Sequence, residues 1–228
     1  AAPPALQPTI CIYSNWTAGG GADKVALRLL EGLPQHGFRA QLLVKNLKSP
    51  LTASLSEDAA VYNLDLPHIL ATAAAQERFA PAIEQLKPDL VYVHGLPRPL
   101  LTAALARKRF RLPFRLVGCK HSSKVWYRLF QRPELFFETR LACRLADSLV
   151  AVSHGTASQL QRLVGTKTTP LAVLDNPAIT AQFDELASQP CDEPWLREKS
   201  LPVVLGVGLL DRRKRFDLLL EAMAKVNV

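Results

Sequence analysis

The chain has 228 residues, 48% of them apolar, with 28 basic and 20 acidic side chains and a net charge of +8. That balance belongs to a globular protein with a buried core and excludes a disordered or fibrous chain. No uninterrupted apolar run is long enough to span a bilayer, and the excess of positive charge favours an anionic partner (nucleotide, phospholipid surface or nucleic acid) unless the protein is merely basic.

Residues 1–8 are rich in Pro and Ala and are predicted to be a loose tail. There is no secretory signal pattern, although the chain opens on Ala1 rather than Met, which leaves room for a removed leader. Residues 9–13 form a β-branched and aromatic run that reads as a buried strand. A loop with Gly19, Gly20 and Gly21 follows. Then Val25, Leu29 and Leu33, flanked by Ala22, Ala26 and Leu30, give a helix with one apolar face that should stop at Gly37. Residues 38–44 read as the next strand.

Glycines between a strand and a helix let the backbone approach a ligand, and the helix start offers unpaired N–H groups to an anion. The loop is therefore a candidate phosphate or sugar cradle, or else a tight turn with nothing bound. It is not the G-x-G-x-x-G fingerprint, because the third glycine is missing. It is not a Walker A loop, because Lys24 follows Asp23 and no Ser or Thr comes after it.

Residues 45–58 are polar and irregular, and residues 60–64 can be a third strand. Residues 69–86 have helical spacing but contain Pro81, which should kink the helix or start a new segment. Strands are predicted over 90–95, 114–119, 148–152 and 171–174, with helices over 100–109, 133–147 and a short one running to about 163. Strands alternating with helices indicate an α/β fold, a Rossmann-like parallel sheet covered by helices on both faces. Ligands of such sheets bind beyond the carboxyl ends of the strands. Asn15, His94, His121 and Ser153 stand at those ends and should line one crevice.

Cys11, Cys119, Cys143 and Cys191 are far apart and show no metal-ligand spacing. All four read as reduced packing residues of a cytosolic protein, with no metal site and no disulfide frame. Residues 178–201 are polar and contain Pro190 and Pro194, so they read as a linker between a first domain (9–177) and the start of a second (202–228). Residues 202–208 look like an apolar strand. A basic turn (Arg212, Arg213, Lys214, Arg215) and a helix from Phe216 follow, with Leu219, Met223 and Val226, or Leu220 and Ala224, as its apolar face. One strand and one helix cannot bury their own apolar faces. They should pack on the first domain, or the chain is a fragment.

The order of these stretches resembles the N-terminal half of retaining glycosyltransferases of family 4, which have the GT-B fold. The resemblance rests on Gly19, Gly20 and Gly21 with the helix start through Ala26, and on the strand from Pro88 and Asp89 to His94. It rests further on His121 after a strand, on the stretch from Ala146 to Ser153, and on Asn176 with Pro177. The last piece is the turn with Gly208, Leu209, Lys214, Phe216 and Asp217. It implies an enzyme that moves a sugar from a nucleotide-diphosphate sugar to an acceptor with retention, without a bound metal or other cofactor. Gly19, Gly20 and Gly21 then approach the diphosphate and donor sugar. Lys214 matches the family's phosphate lysine, and His121 its histidine near the reacting sugar. Asn15, His94, Ser153 and Asn176 line the acceptor or the rim. Leu209 stands where the family has an arginine, so Arg213 or Arg212 must supply that diphosphate contact. The family's Glu-x7-Glu segment lies beyond Val228, and full activity is not expected from these residues alone.

Residues 120–132 interleave cations with Trp126, Tyr127 and Phe130, Phe136 and Phe137 follow, and residues 107–111 are similar. Such a segment suits docking on an anionic membrane surface at its inner, cytoplasmic face, as for a glycolipid acceptor. Alternatively the aromatics pack inward and the cations are solvated. A rival to the enzyme is a non-catalytic acceptor or membrane-docking half that needs a second chain to complete the donor site. Nucleic-acid binding ranks last, because no recognised binding motif is present.

Overall fold

The computed structural model describes residues 7–16, 19–66, 72–121, 133–165, 169–177, 179, 183–198, 202–208, 210, 212 and 214–226. The chain divides into two compact units, Ala1–Ala178 and Ile179–Val228.

The first unit is built on seven strands: β1 Thr9–Ser14, β2 Arg39–Val44, β3 Val61–Asn63, β4 Leu90–His94, β5 Arg115–Lys120, β6 Ser148–Ala151 and β7 Leu171–Val173. Their order in the sheet is β3-β2-β1-β4-β5-β6-β7, and every neighbouring pair is parallel. The expected Rossmann-like α/β sheet is present. The chain runs outward from β1 to β3 and then returns through a helix to place β4 on the other side of β1. The direction of winding therefore reverses between β1 and β4, which is where open parallel sheets hold their ligands.

Helix α1 (Gly21–Gly32) covers one face. Its Ala26 and Leu30 pack with Ile12, Trp16, Leu42 and Val44. Helices α2 (Ala73–Leu86), α3 (Arg98–Phe110), α4 (Pro133–Leu145) and α5 (His154–Val164) contribute to the larger core. Phe79, Leu100, Ala142 and Leu160 meet Cys11, Tyr13, Val91, Val93 and Leu116 there. Both faces of the central strands are buried, which explains their nearly continuous apolar sequences.

Local chemistry revises several boundaries. Helix α1 gives way at Gly32 to a 3-10 turn, Leu33–His36, and Gly37 (φ +81°) closes that turn rather than the helix. Pro34 cannot supply the N–H that a further α turn needs. Pro81 starts no new segment: α2 begins at the Thr72 cap, whose side chain accepts from Ala75 N–H, and runs through Pro81. Pro81 is on the exposed side, so the carbonyl it cannot pair meets solvent.

In the second unit, residues 202–207 have no ladder partner and form no strand, contrary to the expectation for 202–208. An extended segment becomes a strand only beside another strand. Helix α8 (Phe216–Val226) does form. It packs on the segment before it: a Cβ at Gly206 would stand 2.7 Å from the Phe216 ring. The polar stretch before it holds two short helices, α6 (Phe183–Ser188) and α7 (Pro194–Glu198). No described residue of this unit is buried. Among the cysteines, Cys11, Cys119 and Cys143 are buried, whereas Cys191 is exposed and so is not a packing residue. It lies in a polar stretch with no core to enter. No helix among the described residues is long and apolar enough to cross a membrane.

Candidate functional site

The carboxyl ends of β1, β4 and β5 lie side by side. Ser14 pairs with His94, and His94 with Cys119, so Asn15 and His121 stand one and two residues beyond that common level. The glycine loop leaves β1 at this edge. Gly20 is the N-cap of α1 and, among the described residues, no side chain caps the helix, a start that suits a ligand or water. Gly19 takes φ +62°, which favours glycine, and a Cβ there would press on Pro50 at 3.3 Å. At Gly20 and Gly21 a Cβ would meet no protein atom within 4 Å, so the space in front of them is unfilled.

Two residues hold this loop that the sequence reading did not single out. The Asp23 carboxylate, nearly buried in the first turn of α1, accepts the Gly19 N–H at 2.9 Å. The signal was available, since an acidic residue in the first turn suits both the helix dipole and the loop's donors. Trp16 is fully buried at φ +49°, and its Nε1–H donates to Thr52 Oγ1 at 3.0 Å. It anchors the exit of β1. Nothing in its local pattern marks it, because Thr52 is 36 residues away.

Opposite the loop, His94 and His121 touch. His121 Nε2 and His94 Nδ1 are 3.1 Å apart, and the ring centroids are 3.8 Å apart. Two outward nitrogens, His94 Nε2 and His121 Nδ1, are buried without a hydrogen bond of ordinary geometry, as is Asn15 Oδ1. Buried polar atoms are rarely left so. Burial, then the charge of His121, pushes His94 down to about 3, while the Ala22 backbone acts weakly the other way. Burial also lowers His121, and the Asn176 side chain opposes that shift. Both imidazoles are therefore neutral near pH 7. They can accept from or donate to hydroxyl groups, and they do not offer a fixed cation.

The other predicted residues divide. Asn176 is exposed just after β7 and reaches His121. Ser153 is the N-cap of α5: its Oγ accepts from Thr156 N–H at 3.2 Å and donates to Thr156 Oγ1 at 3.0 Å. Lys120, the last residue of β5, is only 4% exposed, and burial lowers its ammonium to about 8, partly opposed by the charge of Cys143. In the second unit Lys214 is exposed, its stem lying over Gly208. Arg213 and Leu209 lie outside the described residues, as do 122–132, the centre of the basic-aromatic segment. No group of three metal-ligating side chains occurs among the described residues.

A cavity of about 550 Å³ lies elsewhere, between α1 and the starts of β2 and β3. It is lined by Leu27, Leu30, Phe38 and Ala59, with no residue of the rim. The rim groups, not this cavity, carry unsatisfied polar atoms facing a switch point.

Residues 19–182, well over half of the chain, match the sequence profile of Glycosyltransferase Family 4. No protein of curated function matches the sequence. Similar solved structures include the apo form of the lipopolysaccharide outer core galactosyltransferase WaaB, at 17% identity and a TM-score of 0.55 over 74% of this chain and 46% of that one. A UDP-GlcNAc 2-epimerase from Methanocaldococcus jannaschii matches at 15% identity and TM-score 0.54, over 74% and 45%. Anabaena Alr3699/HepE, solved in complex with UDP and glucose, matches at 18% and 0.52, over 74% and 44%. These likenesses show the fold. The chain spans less than half the length of these solved structures.

Proposed function

We propose nucleotide-sugar-dependent glycosyl transfer, on the premise that the chain belongs to Glycosyltransferase Family 4. The observation that carries the reading is the trio Asn15 Oδ1, His94 Nε2 and His121 Nδ1, three buried and unsatisfied polar atoms beside an uncapped helix start. A sugar presents hydroxyl groups that both donate and accept, which is the complement such atoms lack. A diphosphate presents the anion that a glycine-lined helix N-terminus attracts. The donor is a nucleotide-diphosphate sugar, and the reaction proceeds with retention at the anomeric carbon.

Asp23 fixes the loop through Gly19. Gly20 and Gly21 let the diphosphate approach the N–H groups of α1. His121 and His94 position hydroxyl groups at the reacting sugar. Lys214, with Arg213 or Arg212, neutralises the leaving diphosphate, as electrostatic stabilisation of developing charge requires. Neither a metal nor another cofactor has a role in this scheme. The acceptor is a glycan or glycolipid.

The glycolipid alternative draws support from α4, where Phe137 and Leu141 are exposed one turn apart beside Arg140 and Arg144. An apolar pair flanked by cations suits an anionic bilayer surface. Lys120 is buried and takes no part in such a surface. Sedimentation with anionic vesicles at low salt tests this. Binding that weakens in a Phe137→Ser variant is expected, and no binding removes the idea.

Epimerisation at C2 of a nucleotide sugar is the second reading, prompted by the epimerase among similar folds. One experiment separates the two. The native protein is incubated with a panel of nucleotide sugars and candidate acceptors, and products are followed by NMR. Transfer releases a free nucleoside diphosphate and a glycoside of retained configuration. Conversion to a C2 epimer, or no consumption of any donor, contradicts the proposal.

A further inference from the structure

We infer that Arg28 is a positioning residue of the crevice: its guanidinium clasps the strap formed by residues 174–177 and so holds Asn176 against His121. What the crevice binds is taken from the proposed function, whereas the clasp stands on geometry.

Strand β7 ends at Val173. Leu174 makes one more ladder bond, its N–H donating to Ala151 O at 3.0 Å. The chain then leaves the sheet and crosses its carboxyl edge. The Asn176 side chain reaches His121, which follows β5, two strands away from β7. One residue on, Pro177 O accepts from Arg28 Nη1, on the helix that covers β1 and β2. The strap thus runs from the β7 edge to α1. Burial does not hold it there. Leu174, Asp175, Asn176 and Pro177 are all exposed, and Leu174 keeps 58% of its surface. Polar contacts fix the crossing instead, and a hydrogen bond from a charged donor is the stronger kind. Local stiffness passes the hold along the chain. The ring of Pro177 locks its own φ, and a residue before a proline is confined to extended backbone. A fixed Pro177 carbonyl therefore fixes where Asn176 stands.

The contacts close a ring. The Ala22 backbone, at the start of α1, neighbours His94, and His94 touches His121. His121 meets Asn176, and Pro177 returns the path to α1 at Arg28. Ala22 and Arg28 stand on one helix, six residues apart, which is about 9 Å at the α-helical rise. The helix whose start forms the proposed diphosphate cradle thus also tethers the strap beside the histidines. Arg28 touches no reacting atom in this scheme. It sets the place of Asn176, and Asn176 sets that of the His121 ring.

The test is 1H–13C correlation of the histidine Cε1–H groups in the labelled native protein, with the His121 signal assigned from His121→Gln. Arg28→Met should shift that signal as far as Asn176→Ala does. The double variant should shift it no further, because the two residues act along one path. Pro177→Gly frees the strap without touching α1, so it should repeat the shift even if Arg28→Met does not fold. In the transferase assay, Arg28→Met should lower kcat by about 10-fold, the cost of a group held slightly out of place. A His121 signal unmoved by Arg28→Met or by Pro177→Gly overturns the inference. So do shifts of Arg28→Met and Asn176→Ala that add in the double variant, and so does full turnover by folded Arg28→Met. The signals need no turnover, so they test the clasp even where the unmodified protein transfers no sugar, and an unmoved signal leaves the transferase reading to be judged separately.

Discussion

The rim of the sheet has two halves built from the same kind of residue. On the β1, β4 and β5 side, Asn15, His94 and His121 keep buried polar atoms without a hydrogen bond of ordinary geometry. On the β6 side, Ser153 has its hydroxyl occupied by both Thr156 N–H and Thr156 Oγ1. A polar residue after a strand can start the next helix, and its partner then lies three residues on, within its own segment. Where the partner is missing and the atom is buried, folding gains nothing from the group, and on the proposed reading a ligand supplies the partner. On the proposed reading, the difference separates positions that build the fold from positions that meet a substrate.

That contrast can be broken by experiment. The largest effect concerns acid. His94 falls to about 3 in the fold from an ordinary value of 6.5. Between those values the unfolded chain binds the proton and the folded chain does not, so stability is complete above about pH 6.5 and is lost as pH falls. The slope approaches about 1.4 kcal/mol per pH unit for one such ring. Urea melts from pH 7.5 to 4.5 should show this loss, and His94→Gln should flatten it. An unchanged slope in the variant would mean that His94 is not held neutral by its surroundings.

Next is Asp23→Ala, which leaves the Gly19 N–H without its acceptor. Loss of a buried charged hydrogen bond should cost about 1–3 kcal/mol and weaken donor binding by loosening the cradle. Chemical denaturation together with the donor KM checks both. Stability and KM equal to those of the unmodified protein would show that the loop holds itself.

The smallest is Ser153→Ala, an N-cap loss of about 1 kcal/mol read as a lower thermal midpoint. A drop in donor affinity larger than that of Asp23→Ala would erase the contrast between the two halves of the rim.

Much of this was legible from the chain. The parallel sheet follows from short apolar runs alternating with amphipathic helices, and polar residues after such runs must collect at one edge. The resemblance to family 4 drew on the same stretches, from Gly19 onward. What could not be read was lateral. His94 and His121 are 27 residues apart, and their contact depends on β4 lying beside β5 with both rings on one side of the pleat. Trp16 and Thr52 are hidden for the same reason. Asp23 was within reach, since its partner is four residues away and a carboxylate suits the first turn of a helix. Lys120 read as one of several surface cations, yet β5 carries it into the interior. Residues 202–208 have a strand's composition without a strand's neighbour, and composition alone cannot supply the ladder.

The central claim is that the unsatisfied half of the rim serves the reaction. It is tested most directly by comparing His121→Ala and Ser153→Ala in one donor-turnover assay on the native protein, with folding of both checked by circular dichroism. The account predicts that His121→Ala lowers kcat/KM by about 100-fold, the cost of a misplaced reacting group, and that Ser153→Ala falls far short of that. Equal losses in the two folded variants, or full turnover by His121→Ala, would contradict it.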